Sequence, residues 1–65
     1  MSKPKNLKQA MNNDSYIVKS IYAKGCARIR INFKPRFPDK IKQHCSFWIN
    51  RDYFIRNYPN TYSRF

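Results

Sequence analysis

The side chains with the clearest chemical potential in this sequence are basic residues concentrated in its middle. Most of them form pairs two positions apart in sequence. The full set is Arg28, Arg30, Lys34, Arg36, Lys40, Lys42 and Arg51. A guanidinium can donate two parallel hydrogen bonds to a guanine edge, whereas a lysine holds a phosphate as a point charge. We predict that these residues bind DNA.

The overall charge also indicates an anionic partner. The 65-residue chain has 14 Lys and Arg against three acidic residues, which gives a net charge of +11 and a pI near 10.2. Such an excess of one sign destabilises the compact state through self-repulsion, and a partner of opposite sign relieves it. Nucleic acid is the partner that this charge favours, because neutralising phosphates releases condensed counterions.

Catalytic and metal-binding chemistry lacks the residues it needs. One His, three separated Asp and no Glu leave few pairs for general acid-base catalysis. His44 and Cys45 are neighbours that would point apart on a strand, and Cys26 belongs to no C-x-x-C pair. We therefore predict no enzyme activity, cofactor, metal or small-molecule substrate. The two cysteines are predicted to be reduced and to pack as small buried hydrophobic residues.

The aromatic residues have two possible uses. Five Phe, five Tyr and one Trp can build the core of a small domain or stack on nucleic-acid bases. We predict that Phe47, Trp48 and Phe54 are core residues, and that Tyr58 and Tyr62 are better candidates for exposure. The interleaving of aromatic and basic residues keeps RNA binding open as an alternative.

Residues 26–33 must position the first two arginines, and their pattern is that of a strand. Apolar and polar side chains alternate, with Ala27, Ile29, Ile31 and Phe33 opposing Arg28, Arg30 and Asn32. This period of two, together with the β-branched residues, is typical of a half-buried strand. A short helix is the alternative for this segment.

The preceding segment, residues 15–25, is predicted to be a helix. Ile17, Val18, Ile21 and Tyr22 share one face at helical spacing. Asp14 or Ser15 would cap the helix at its start, and Gly25 would end it in the left-handed conformation.

Two structures are open for residues 39–58. One is a single long helix that ends before Pro59. The other is a β-ribbon followed by a brief helix that Asn50 caps, in which Asp52 lies in the first turn and Phe54 contacts Tyr58. Around this region we expect a flexible basic arm over residues 1–12, one nucleic-acid-binding domain over residues 13–60 and a frayed tail over residues 61–65.

The second half of the chain resembles small phage and prophage excisionases. Phe37-Pro38 matches the residues after the recognition helix of that family, Lys40-Ile41-Lys42 its basic wing, Phe47-Trp48-Ile49 its aromatic strand and Arg51-Asp52 the turn before its closing helix. The resemblance implies a small α+β domain of winged-helix type, with two short helices and a β-ribbon wing. It also implies a helix-turn-helix over residues 20–34 with Gly25 in the turn. In such a winged helix, Arg28 and Arg30 would face the major groove and contact bases, and Lys40 and Lys42 would hold phosphates. A β-hairpin followed by a C-terminal helix is the alternative architecture.

The function that follows is a non-enzymatic DNA-binding accessory or regulatory protein of a phage or mobile element. The resemblance implies that it assists a site-specific recombinase, or represses transcription. A small RNA-binding structural protein of ribosomal type is one alternative, and an inhibitor that grips an acidic host protein through aromatic anchors is another. No segment is apolar over the length that a membrane span requires, so we expect a cytoplasmic location.

Overall fold

A computed structural model describes residues 3–37 and 43–65 of the chain. The elements in chain order are helix α1 (Leu7–Met11), strands β1 (Tyr16–Tyr22), β2 (Arg28–Pro35) and β3 (Cys45–Asn50), and helices α2 (Arg51–Asn57) and α3 (Pro59–Arg64). The predicted α+β class is therefore confirmed. Of the two predicted architectures, the hairpin followed by a C-terminal helix is the closer one.

The strands form a three-stranded antiparallel sheet in the order β1-β2-β3. Ile31 at the centre of β2 pairs with Ile21 on β1 and with Phe47 on β3. The register of β1 shifts between Val18 and Ser20, where a β-bulge inserts one extra residue. Side chains alternate between the two faces of a sheet, so one face carries the apolar residues of β2 and the other its arginines.

The core lies on one face of the sheet, and all three helices contribute to it. Its fully buried side chains include Ile29, Ile31 and Phe33 from β2 and Phe54 from α2. Each helix contributes to this core, with Leu7 and Ala10 from α1, Phe54 from α2 and Tyr62 from α3. We call this side of the sheet the inner face.

Local capping explains where α2 begins. The Asn50 side chain accepts a hydrogen bond from the Tyr53 backbone N–H at 3.0 Å, which satisfies one of the free donors of the first turn. Asp52 lies in that turn, and the rings of Phe54 and Tyr58 are 5.3 Å apart. Of the two structures left open for residues 39–58, the strand followed by an Asn50-capped helix is confirmed over residues 45–58.

The helix predicted over residues 15–25 is wrong, because most of this segment is strand β1. The bulge explains the error. Val18 and Ile21 lie opposite Phe33 and Ile31 on the inner face, yet they are three residues apart in sequence because the bulge adds one residue between them. A spacing of three mimics one face of a helix. Gly25 lies in the β1–β2 turn, where the residue with positive φ is Ala23 at 64°.

The helix-turn-helix implied over residues 20–34 is also not formed, because β1 and β2 occupy these positions. The reason is the alternation of apolar and polar residues over 26–33, which favours a strand. The strand predicted there is confirmed, because β2 covers most of this segment. Other expected features are present: the aromatic strand over residues 47–49 is part of β3, and a helix begins at Arg51. The basic wing over residues 40–42 lies outside the described residues.

Both ends of the predicted domain differ from expectation. The arm expected over residues 1–12 contains α1, which Asn6 caps and which buries Leu7 and Ala10. The tail expected over residues 61–65 contains most of α3, whose Tyr62 packs against the core. The ordered domain therefore draws core residues from both segments.

Candidate nucleic-acid interface

The face of the sheet opposite the core is basic and aromatic. We call it the outer face, and we define it by the side chains that alternate with the core residues of the three strands: Ile17, Ser20, Tyr22, Arg28, Arg30, Asn32, Lys34, Ser46, Trp48 and Asn50. Ile17, which pairs with Lys34, is the aliphatic member of this set. The core contacts of α1, α2 and α3 are all with the inner face. Within the described residues, the outer face is thus a sheet surface without a helix packed over it.

One cross-strand row organises this face. Arg30 at its centre pairs with Tyr22 on β1 and with Trp48 on β3. The Arg30 guanidinium carbon lies 5.2 Å from the centre of the Tyr22 ring and 5.9 Å from that of the Trp48 ring. Arg28 also lies 5.9 Å from the Trp48 ring. Cations within about 6 Å of an aromatic ring are attracted to it, so these contacts hold the guanidinium groups in place.

The row leaves much of its surface open to a ligand. Trp48 is 52% exposed and Tyr22 is 59% exposed, although both are large hydrophobic side chains in a folded sheet. The Nε atom of Arg30 is buried between them and has no hydrogen-bond partner among the described residues. The orientation of this arginine therefore follows from its packing between two rings, and its terminal nitrogens are the atoms left to bind a partner.

The charges of the outer face are not neutralised from within the described part of the chain. Asp14 and Asp52 are the acidic residues of that part. The one ion pair found there joins Arg51 Nε to an Asp52 carboxylate oxygen at 3.7 Å. The side chain of Asp52 is 73% exposed, so the pair is screened by solvent and contributes little to stability.

The structure brings together part of the predicted site. Arg28, Arg30 and Lys34 lie along β2 on the outer face, as the alternation of residues 26–33 predicts. Arg36 and Arg51 lie at opposite ends of the sheet. Arg36 Nε donates to the Asp14 carbonyl oxygen at 2.7 Å, and an Arg51 terminal nitrogen donates to the Gly25 carbonyl oxygen at 3.4 Å.

The other two predicted site residues, Lys40 and Lys42, lie outside the described residues. Their predicted contacts with phosphate therefore stay a prediction.

Sequence reasoning missed the aromatic part of the site. Trp48 was predicted to be a core residue, and this is wrong because the side chains of Phe47 and Ile49 take the inner face and Trp48 alternates with them. Strand parity could have found this, since consecutive residues of a strand cannot share one face. Lys19 and Tyr22 were hidden by the helix prediction. Both line a groove of the sheet together with Arg30.

Of the remaining aromatic predictions, two are confirmed and two are wrong. Phe54 is fully buried and Phe47 packs against the core, as predicted. Tyr58 and Tyr62 are the better candidates for exposure by sequence, and this prediction is wrong because both are half-buried and pack against the core. Their rings lie 5.3 Å and 6.4 Å from the ring of Phe54, so the three form one aromatic cluster beneath the sheet.

The two cysteines differ in burial. Cys45 is half-buried against the core, and burial raises the pKa of its thiol, an effect that the charge of Lys3 partly offsets. Cys26 is exposed in the β1–β2 turn, which contradicts the prediction that it is buried. Both are free thiols.

The described residues form neither a cluster of metal ligands nor a membrane-spanning helix. Across residues 3–37 and 43–65, no three His, Cys, Asp or Glu side chains come together as metal ligands would. In the same part of the chain no helix has the length and apolar character needed to cross a membrane.

Comparison with known proteins gives no family for this chain. No protein-family model, curated protein or solved structure matches it.

Proposed function

We propose that this chain is a non-enzymatic nucleic-acid-binding protein, and that the outer face of its sheet is the binding surface. The observation that carries the proposal is the alignment of Arg28, Arg30 and Lys34 along β2 beside the exposed rings of Tyr22 and Trp48. A basic surface that follows a backbone, combined with aromatic platforms, is the combination that nucleic-acid-binding sheets use.

The electrostatics of the fold support this surface over the rest of the molecule. The inner face is covered by helices. Lys5 before α1, Lys8 on α1 and Arg56 on α2 are exposed, and the cation–π contacts of the described residues involve Lys24, Arg28 and Arg30 instead. On the outer face, two guanidinium groups lie within 6 Å of the Trp48 ring. Ordering a partner against fixed groups costs less conformational entropy than ordering it against mobile lysines.

DNA is the nucleic acid that the sequence favours, and a phage or mobile-element accessory protein is the setting that its resemblance to excisionases implies. In that setting the protein would coat or bend a site for a recombinase, with DNA deformability contributing to the choice of site. A helix-turn-helix is not needed for this role, because proteins also read DNA with strands.

The test compares two triple variants with the same net charge. In the outer-face variant Arg28, Arg30 and Lys34 are replaced by Gln, and in the control variant Lys5, Lys8 and Arg56 are replaced by Gln. Affinity for labelled oligonucleotides, single-stranded and duplex, is measured by fluorescence anisotropy between 50 and 200 mM salt. Neutralising three phosphates predicts a loss of about 20- to 40-fold over this range for the native chain.

We expect the outer-face variant to lose most of this salt dependence and most of its affinity, and the control variant to retain both. Equal losses in the two variants would show that net charge alone drives binding and would contradict the proposed surface. A native chain that binds neither oligonucleotide at about 100 mM salt would refute nucleic-acid binding itself, since specific binders hold their targets under such conditions.

A further inference from the structure

We infer that the outer face binds unpaired nucleotides of a single strand, with bases stacked on Tyr22 and Trp48. This inference rests on the proposed nucleic-acid-binding function of the outer face, and it names an unpaired strand as the partner in place of the duplex of the recombinase setting. The shared chemistry is an unpaired nucleobase, which single-stranded DNA and RNA both offer.

The exposure of the two rings is the first argument. In a chain this short, burying a large aromatic side chain is a main source of stability, yet Trp48 is 52% exposed and Tyr22 is 59% exposed. Duplex DNA has no free base face on which such rings can stack, because both faces of each base are already covered by its neighbours in the stack. An unpaired base has a free face, and stacking on an aromatic side chain covers both surfaces at once.

The spacing of the rings is the second argument. Tyr22 and Trp48 flank Arg30 on neighbouring strands, so their backbones are about 10 Å apart, which is twice the distance between adjacent strands. Successive bases in a stacked strand are only about 3.4 Å apart. One base on each ring therefore requires a strand whose bases are splayed apart, and only an unpaired strand adopts that form without melting a duplex.

The charges between and beside the rings complete the site. Arg30 lies between the two platforms and Arg28 lies beside Trp48, so a phosphate that links two stacked nucleotides would meet a guanidinium. The next row of the sheet, Ser20, Asn32 and Ser46, is polar. The side-chain NH₂ of Asn32 donates to the Ser20 hydroxyl at 3.0 Å. This bond orients the side-chain carbonyl of Asn32 as an acceptor for the edge of a base.

The chain supplies a closely matched control for the experiment. Tyr53 on α2 is 57% exposed, almost the same as Tyr22, but it lies on a helix and not on the sheet. Binding of Tyr22→Ala and Tyr53→Ala to an oligothymidine of 12 nucleotides, to oligouridine of equal length and to a 12-base-pair duplex is measured by anisotropy. Circular dichroism confirms that both variants are folded.

Trp48 is the only tryptophan of the chain, so its fluorescence reports on the platform directly. We expect oligothymidine to quench this fluorescence and the duplex to leave it nearly unchanged. We also expect Tyr22→Ala to weaken binding to oligothymidine about 5- to 150-fold, the range for loss of one stacked base, and Tyr53→Ala to change it less than about twofold.

Thymine and uracil differ by a methyl group, so oligodeoxyuridine of equal length is measured beside oligouridine to identify the source of the bases. These two strands differ only at the sugar: equal affinities indicate recognition of the base alone, and a preference assigns the site to DNA or to RNA.

Tighter binding to the duplex, with Tyr22→Ala behaving like Tyr53→Ala, would overturn this inference and leave the proposed function intact. The sheet would then enter the major groove, whose width admits a two-stranded β-ribbon. If neither single strand nor duplex binds, the proposed function fails as well, so the two failures are distinguishable.

Discussion

The side chain of Tyr62 should carry a large share of the stability of this fold, and replacing it with Ala tests the packing of α3. Its ring lies 6.4 Å from the ring of Phe54, and the Lys24 ammonium lies 4.4 Å above it. Two hydrogen bonds join the same residues, from Lys24 Nζ to the Tyr62 carbonyl oxygen at 3.1 Å and from the Tyr62 hydroxyl to the Lys24 carbonyl oxygen at 3.4 Å. These contacts fasten α3 to the β1–β2 turn.

The magnitude follows from the contacts that Tyr62→Ala removes. Loss of a half-buried ring, an aromatic pair and a cation–π contact predicts a decrease of about 2 to 4 kcal/mol in the free energy of unfolding. A 65-residue domain has a total of only about 3 to 10 kcal/mol. The variant should therefore be strongly destabilised, whereas Tyr53→Ala, which changes an exposed side chain, should cost less than about 0.5 kcal/mol.

Urea denaturation followed by far-ultraviolet circular dichroism measures both variants. We expect the midpoint of Tyr62→Ala to fall by more than about 1 M relative to Tyr53→Ala. Should Tyr62→Ala prove unfolded in buffer, Tyr62→Phe keeps the ring and removes only the long hydroxyl contact, with an expected cost of about 0.5 to 1 kcal/mol. Coincident midpoints for Tyr62→Ala and Tyr53→Ala would refute the packing of α3 on the core.

Four further predictions concern the cap of α2, the backbone at Ala23, thiol labelling and the pH dependence of stability. Asn50→Ala removes the cap of α2 and should lower the unfolding free energy by about 1 kcal/mol, while Asn50→Ser should retain most of it; equal midpoints in urea would contradict the cap. Ala23→Gly relieves a left-handed conformation and should raise the thermal midpoint slightly, in contrast to the usual cost of an Ala-to-Gly change; a clear fall would contradict the positive φ. At about pH 8 a thiol reagent should label exposed Cys26 faster than Cys45, whose thiol pKa is raised by burial, and similar rates would contradict that burial. Because the folded chain keeps the Cys45 proton to higher pH than the unfolded chain, stability should decrease as pH rises past the ordinary thiol pKa.

The sequence predicts some parts of this fold well, and each success has a local cause. Strand β2 is evident from its alternation because one of its faces is buried and the other is not. The start of α2 is evident because a capping side chain and an acidic first turn act over three residues. The positions of Arg28, Arg30 and Lys34 on one face follow from parity within a single strand.

The rest depends on tertiary context. The bulge in β1 changes the phase of its pattern, and nothing in the local sequence distinguishes that change from helical spacing. The row of Tyr22, Arg30 and Trp48 joins residues from three strands, so it depends on the register of two pairings. Tyr62 resembles part of a polar tail in sequence, and only its contact with Phe54 and Lys24 reveals its place in the core.

The way the core is assembled has a consequence for how this protein folds during synthesis. All three strands are complete once residue 50 has been made, but the inner face of the sheet still lacks Phe54 and Tyr62. Until α2 and α3 dock on it, an apolar sheet with two open edges is exposed to other chains. Rapid docking of the last two helices therefore limits aggregation.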